Sequence, residues 1–456
     1  KFFWQNSARK TLYSKKVKFL YKMTMVYFLK RLYAVLFLLL YSSFAWGSEA
    51  QSVVNELTLD AAESMFLSAN YQLLAGKFQI DAAQAQVLQA RLWTNPNITF
   101  AQSVYTPASR QFFDFRNTGE TQVQLEQLFL LAGKRGYQIK AAQLNAANAE
   151  QNFYDLLRTL RIELQSNFYG IHFMRENIAF YDEGIAGLKN TVLMLETAYK
   201  KRLVLLSEVM RIRTLLFSLQ NERTELVATL IAREHNLKTL LGMPIENTQA
   251  IIPKVQSEMQ QSFSNRLIAR DEALKRAKDN RPDLKMAINA VFLEENNLAL
   301  QHALKYPDIT VGANWDRAGP FTENYFGLQV TAPLPTLNRN QGNIATAEKN
   351  LNVVKELAIK TQRDIERDVM IAYERAVEKD KLYQEFKDKF NTEYQNLVGL
   401  MFKNYQKRYI TVIEFADFYE AYRNTITTMI KLEEERVASF AVLAAAVNAP
   451  VLRSEP

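Results

Sequence analysis

The side chains that usually carry chemistry are few in this chain, and their spacing argues against catalysis. His172, His235 and His302 are its three histidines, and none has a second histidine at the separation a metal site needs. There is no cysteine, which excludes disulfides, thiolate metal ligands, a thiol nucleophile and a lipid-modified N-terminal cysteine. Neither a phosphate-cradling glycine loop nor a G-x-S-x-G nucleophile elbow occurs. His172 lies one residue from an apolar helical seam, where a hydrogen-bonded core or edge histidine is expected rather than a ligand. The twelve methionines are scattered and read as core filler. The expectation is a protein that is not an enzyme, with no cofactor and no metal site.

Polar side chains do recur in order in short segments with a period of two. Thr310, Gly312, Asn314 and Asp316 alternate with Ile309, Val311, Ala313 and Trp315. Tyr325, Gly327, Gln329 and Thr331 alternate with Phe326, Leu328, Val330 and Ala332, and Gln122, Gln124 and Glu126 with Val123 and Leu125. A first segment, 97–105, alternates less cleanly. Strands of about ten residues with one apolar and one polar face suit a membrane barrel with a wet lumen. A half-buried sheet packed on helices is the alternative. Four strands are too few to close a membrane barrel, which needs about eight, and open edges in lipid cost several kcal/mol per unpaired group. A membrane reading therefore requires an oligomer, eight strands from two chains or twelve from three.

The elements that must position these strands are long helices. Leu157, Leu164, Ile171, Ile178, Ile185, Val192 and Tyr199 are seven apart, as are Phe153, Leu160, Asn167, Met174, Tyr181, Leu188 and Leu195, with one polar member. That spacing keeps one seam facing a neighbour, the coiled-coil condition. The helix is expected to run from Lys134 to Arg202. The seam resumes from Val209 to Leu240, interrupted by Arg223 and Arg233, and Gly242 and Pro244 end it. A first helix is expected over Leu57–Trp93, with Asp60 as its N-cap and Asn95-Pro96 as its stop.

The plan then recurs. Pro96-Asn97-Ile98-Thr99 matches Pro307-Asp308-Ile309-Thr310, and Tyr199-Lys200-Lys201-Arg202 with Glu208 matches Tyr405-Gln406-Lys407-Arg408 with Glu414. Leu57 and Asn70 match Leu267 and Asn280. Collinear matches at nearly one offset imply a tandem duplication. The expected domains are a first repeat over 51–242 (strands 97–105 and 121–129, hairpin 134–241), a linker 243–265, and a second repeat over 266–448 (strands 308–316 and 325–333, hairpin 341–448). A tail covers 449–456. In each half the two shorter helices, stacked end to end, match the length of the long one, implying an elongated cylinder of paired coils.

Residues 1–50 read as an export leader. Basic residues from Lys15 to Arg31 precede an apolar run, 32–46, and small residues around Ala50 suit cleavage. An uncleaved anchor is the alternative, although the run is short for a spanning helix; residues 1–22 can lie upstream of a true start at Met23 or Met25. Nine of the 56 Lys and Arg residues and one of the 48 acids precede residue 51, leaving 47 of each. The net charge of +8 therefore belongs to the leader, and the mature chain shows no nucleic-acid signature.

The order helix, two strands, long helix, turn, helix, given twice after a leader, resembles the TolC family of outer membrane efflux channels. Leu57-Thr58-Leu59-Asp60-Ala61-Ala62 opens the first repeat as the family's repeats open, and Asn95-Pro96 precedes strand one. Gly133-Lys134-Arg135 starts one long helix; Pro333-Leu334-Pro335 and Asn338-Arg339-Asn340-Gln341-Gly342-Asn343 start the other. These last resemble the branch serving RND exporters of the cobalt–zinc–cadmium type. The resemblance implies an α+β membrane protein: a homotrimer whose strands form one twelve-stranded outer membrane β-barrel and whose coiled-coil hairpins form a periplasmic α-barrel. It implies a passive duct in outer membrane lipid, docked through a periplasmic adaptor to an inner-membrane RND-type pump and exporting metal cations or small toxic compounds. Gln122, Gln124, Glu126, Thr310, Asn314, Asp316, Gln329 and Thr331 would line the barrel lumen. The turns at Arg202, Leu203 and Val204 and at Arg408, Tyr409 and Ile410 correspond to the tips that touch the adaptor, where the family usually has glycine in place of the two arginines. Glu414 and Asp417, with Glu208 as the first-half equivalent of Glu414, stand where family acids ring the constriction, although Arg211 replaces a match to Asp417. An exported periplasmic coiled-coil scaffold is the competing class. A periplasmic adaptor fits less well, having one hairpin flanked by β-rich domains.

Overall fold

The computed structural model describes residues 56–107, 109–115, 119–244, 246, 250–255, 263–318, 323–390 and 393–453. The expected leader, its cleavage site, part of the linker and the last three residues of the tail lie outside these residues. Two halves with one element order follow. The first contains β1 (Glu56–Thr58), α1 (Leu59–Ala69), α2 (Tyr71–Arg91), β2 (Asn97–Gln102), β3 (Tyr105–Thr106), β4 (Gln111–Phe112), β5 (Thr121–Phe129), α3 (Lys134–Lys200) and α4 (Leu206–Leu240). The second contains β6 (Ile252–Lys254), α5 (Arg270–Asn280), α6 (Pro282–Ala303), β7 (Ile309–Asp316), β8 (Tyr325–Thr331), α7 (Gln341–Phe390), α8 (Glu393–Gln406) and α9 (Val412–Val447).

Helix α3 has 67 residues, about 100 Å at 1.5 Å per residue. Its heptad seam is buried through the middle (Leu160, Leu164, Ile171, Met174, Tyr181, Ile185, Leu188, Val192, Leu195) and emerges at Tyr199. α3 packs along α2 and α4 of its own half and along α6 and α9 of the other. It ends at Lys200 rather than Arg202. The long helix that opens the second hairpin is described as α7 and α8, with residues 391 and 392 between them outside the described residues.

The shorter helices depart from expectation at one place in each half. The helix expected over Leu57–Trp93 breaks at Asn70, and its counterpart in the second half breaks at Arg281. Asn70 Oδ1 accepts hydrogen bonds from the backbone N–H groups of Gln72 and Leu73 (3.0 Å each), capping α2. Its Nδ2 donates to the Leu240 carbonyl at 2.9 Å. Arg281 precedes Pro282, which takes the first position of α6 as proline prefers, and its Nη1 donates to the Ala446 carbonyl at 3.2 Å. Each kink thus satisfies a carbonyl at the end of its half's last helix, where intrahelical donors run out. Asp60 is not the N-cap of α1: Thr58 is, accepting from Ala61 N–H at 3.3 Å, with Asp60 in the first turn.

β2, β5, β7 and β8 form one antiparallel sheet in that order, two strands from each half. β2 ends at Gln102, short of the expected 105, and the chain turns through the small β3–β4 hairpin. Within the expected linker β6 pairs in parallel with β1, and a 3-10 turn spans Ser264–Arg266 at its end. Apolar cores lie at three stations on the helical body. One gathers Leu57, Phe66, Leu73, Phe168 and Leu237 of the first half. A second gathers Ile268, Ile365, Val369, Leu443 and Val447 of the second. The third, near the turns, is shared by both halves through Leu188, Ile212, Leu219, Tyr405, Phe415 and Tyr419.

Candidate functional site

The pleat of the sheet sorts its side chains onto two faces. Across the strands, Ile98, Leu125, Ala313 and Leu328 stand in one row, and Phe100, Val123, Trp315 and Phe326 in the next. This apolar face is bare: Ile98 is 74% exposed, Phe326 78%, Leu328 86% and Val330 68%. The opposite face carries Thr99, Gln124 and Asn314 in one row and Asn97, Glu126 and Gln329 in another. All eight residues expected to line a lumen fall on this polar face. Gln124 Nε2 donates to Glu126 Oε1 and, at 3.3 Å, to Gln329 Oε1; Gln329 Nε2 donates to Thr331 Oγ1 at 3.2 Å. The edge strands β2 and β8 each have one neighbour in the sheet. No helix among the described residues is long and apolar enough to cross a membrane.

Where sheet meets helices, Lys134 is buried although it is a lysine. Its Nζ donates to Asp308 Oδ1 and to the Tyr306 carbonyl, both at 2.7 Å. Asp308 Oδ1 also accepts from Leu131 N–H at 3.0 Å, so one ion pair joins the start of α3 to the start of β7. Arg135 lies over the Trp93 ring at 4.3 Å. Gly133, at φ +74°, makes the left-handed turn into α3. The Gly-Lys-Arg string was legible in the sequence, but its pairing with Asp308, more than 170 residues away, was not.

At the other end, α3 and α8 terminate in the same turn. Arg202 and Arg408 both adopt φ +60°, the left-handed region that costs an L-residue about 1–2 kcal/mol and glycine nothing. Around Arg202, its own N–H donates to the Tyr199 carbonyl (2.8 Å) and Leu203 N–H to the Ala198 carbonyl (2.9 Å). Around Arg408 the equivalent bonds reach Tyr405 and Asn404, 2.9 Å each. These are Schellman caps with arginine at the glycine position. The turns lie side by side, since Arg408 Nη2 donates to the Leu203 carbonyl at 2.9 Å. Leu203 and Tyr409 point outward, whereas Val204 and Ile410 tuck against the shared core.

The three acids near the turns have separate partners. Glu414 forms a capping box with Thr411: it accepts from Thr411 N–H (2.7 Å) and Oγ1 (2.9 Å), and Thr411 Oγ1 accepts from Glu414 N–H (3.2 Å). The Thr411 donors hold its carboxyl below the usual range, so it is charged at neutral pH. Asp417 is 3.6 Å from Arg211, both exposed; the residue that breaks the first-half match is the one that offsets the second-half acid. Glu208 is half-buried in the first turn of α4 and, after burial itself, helps push the Tyr405 hydroxyl up to about 12.

Further polar links tie the helices together, within and between the two hairpins. Arg233 interrupts its seam because its guanidinium crosses α3 at Gly170 to reach Glu434 on α9 at 2.6 Å. Arg223 pairs with Asp182 on α3. Glu222 accepts from Tyr181 Oη (2.7 Å), Ser218 Oγ (3.0 Å) and Arg423 Nη1 (2.9 Å), joining α3, α4 and α9. His172 sits half-buried with Nε2 3.5 Å from Glu176 Oε1. Burial lowers its pKa and raises those of Glu176 and Glu433. Among the described residues no group of three His, Cys, Asp or Glu is arranged to hold a metal ion.

No family model matches the chain. The cobalt-zinc-cadmium resistance protein CzcC of Cupriavidus metallidurans is 21% identical over 320 residues, 69% of this chain and 72% of CzcC. The solved structure of CusC, described with transmembrane channel formation, superposes with a TM-score of 0.71 over 86% of this chain and 92% of its own, at 16% identity. The CmeC outer membrane channel of Campylobacter jejuni superposes with a TM-score of 0.70 over 87% of each chain, at 12% identity. The fold is that of the TolC-like outer membrane channels. Within this channel fold the bare apolar sheet lies on the strands, and the two left-handed arginines lie at the opposite helical turns.

Proposed function

We propose that this protein is the passive outer membrane exit duct of a tripartite efflux system, carrying metal cations or small toxic compounds out of the cell. The observation that carries the proposal is the four-stranded sheet with one bare apolar face, one polar face and two open edges. A Leu- or Phe-sized side chain is worth about 1.5–3 kcal/mol on leaving water, so the rows through Ile98, Phe100, Phe326, Leu328 and Val330 favour lipid by on the order of 10 kcal/mol. Lipid cannot satisfy open strand edges. A homotrimer resolves both demands, pairing β8 of one subunit with β2 of the next in a twelve-stranded barrel, with the polar face lining its lumen. The recurring element order and the equivalent kinks at Asn70 and Arg281 support a tandem duplication.

The helices then form the periplasmic tunnel, and the turns at Arg202–Val204 and Arg408–Ile410 meet a periplasmic adaptor linked to an inner-membrane RND-type pump. The likeness to CzcC supports metal cations as cargo. Glu414, charged and at the turn, is the constriction acid, with Asp417, beside Arg211, and Glu208 as the further acids of the ring. No step of this function needs an enzyme site or cofactor. Planar-bilayer recording tests it. Purified protein should form discrete conducting trimers with cation preference, weakened by Glu414→Gln with Asp417→Asn. Protein that stays monomeric in mild detergent, or washes from the envelope with carbonate, would support the scaffold reading instead.

A further inference from the structure

We infer that the paired turns form a docking surface for a protein partner whose end presents carboxylates around an apolar centre. The inference rests on the reading of the turns as the adaptor contact and supplies the chemistry of that partner. Lys200, Lys201, Arg202, Lys403, Lys407 and Arg408 crowd the two turns, all of them exposed and within or just beyond the last helical turn. None of the six has a carboxylate within salt-bridge distance among the described residues. Facing them are Glu208 and Glu414, because Asp417 is offset by Arg211 and Glu196 by Arg213. Residues 51–456 as a whole hold equal numbers of basic and acidic side chains. The excess is therefore local.

Two observations separate this from ordinary helix-end chemistry. Cations in a last turn complement the helix dipole, which accounts for lysines but not for arginine at a left-handed position. Glycine would take φ +60° without steric cost, yet both turns place arginine there. Arg408 has a local use in its bond to the Leu203 carbonyl. Arg202 is exposed and has no side-chain hydrogen bond within the described residues. Strain of this kind is kept where function requires it. Second, the cations surround exposed apolar side chains: Leu203 is 57% and Tyr409 74% exposed, with Leu205 and Ile413 beside them. A rigid apolar centre with Tyr and Arg at its edge is the anatomy of a protein interface. An anionic bilayer would need the charges alone.

The test uses the full chain in detergent and three designed two-helix hairpins that share an apolar turn ringed by glutamates, glutamines or lysines. Phosphatidylglycerol vesicles serve as a second probe. The glutamate hairpin should bind, with an association rate that falls steeply as salt rises. Lys201→Gln with Lys407→Gln, which disturbs no bond in the fold, should slow that association by roughly tenfold. Tyr409→Ala should speed hairpin dissociation and leave vesicle capture unchanged. Equal binding of the glutamate and lysine hairpins would overturn the inference, as would vesicle capture with no hairpin binding. Bilayer conductance reports separately on the duct, so a channel that conducts but binds no hairpin refutes the docking chemistry alone.

Discussion

Asp380 and Arg436 make the sharpest test of how the second half is held together. Their side chains are 1% and 0% exposed, and Arg436 Nε donates to Asp380 Oδ1 at 2.7 Å. The guanidinium also lies over the Phe263 ring at 4.3 Å and the Tyr383 ring at 4.4 Å. Asp380 accepts from Ser264 N–H (2.9 Å), Ser264 Oγ (2.5 Å) and Phe263 N–H (3.4 Å). One carboxylate thus pins the start of the second repeat against α7 and α9. Removing one member of a buried pair costs about 3–5 kcal/mol, because the other charge stays buried. Asp380→Asn takes the charge from Arg436 and keeps two aromatic faces, each worth on the order of 1 kcal/mol, so a loss of about 3 kcal/mol is expected. Arg436→Met should cost less, since the Ser264 and Phe263 donors still hold the carboxylate. The double variant should recover more than 1 kcal/mol of the summed losses. With unfolding entropy near 2.1 cal/mol/K per residue, 3 kcal/mol lowers Tm by about 3 °C in a chain of this size. Thermal unfolding at one scan rate in mild detergent measures it. Burial by itself pushes the Asp380 carboxyl up, but the Ser264 and Arg436 bonds hold it below the usual range. Its stabilisation is therefore full above the ordinary carboxylate pKa and lost as pH falls through the lower folded value. The difference between parent and double variant should close in acid. A double variant that loses the full sum of the two single losses would refute the reasoning.

Other outcomes follow from the same geometry. A Cβ at Gly184 would sit 2.1 Å from the hydroxyl of buried Tyr419, whereas one at Gly170 would meet the movable end of Arg233; Gly184→Ala should cost about 1–3 kcal/mol and be rescued by Tyr419→Phe, with Gly170→Ala nearer neutral in thermal unfolding. Leu328→Arg, on the bare apolar face, should cost about 2–4 kcal/mol near the bilayer midplane and reduce the membrane-inserted fraction. Gln329→Arg, one residue on, should insert normally and change single-channel conductance. Burial raises the Glu433 pKa, so its ionisation opposes folding at pH above the ordinary carboxylate value and that penalty fades as pH falls. Glu433→Gln should therefore raise the Tm at neutral pH and change it little in acid; an unchanged neutral Tm would remove the burial argument. Glu414→Ala should open the capping box, seen as faster amide exchange at the start of α9.

Much of the architecture is local and so was legible without coordinates. A period of seven over 134–202 is a property of neighbouring turns, and α3 follows it nearly to the residue. Period-two alternation over 121–129 and 309–316 likewise sorts side chains onto two faces whatever the strands pair with. What the linear order leaves open is which distant groups meet. Asn70 and Arg281 break their helices because carbonyls of Leu240 and Ala446 arrive beside them, and nothing near residue 70 announces that. Arg233 looks like an error in its seam until Glu434 is placed across Gly170. β1 and β6, three residues each, carry too little pattern to be found, and exist because two halves of the chain come together there. At the turns, residue type alone argued against a left-handed backbone at Arg202 and Arg408. Tertiary packing decided it, since two long helices locked by a shared core must reverse within five residues, and the Schellman bonds hold the arginines at an angle their own sterics disfavour.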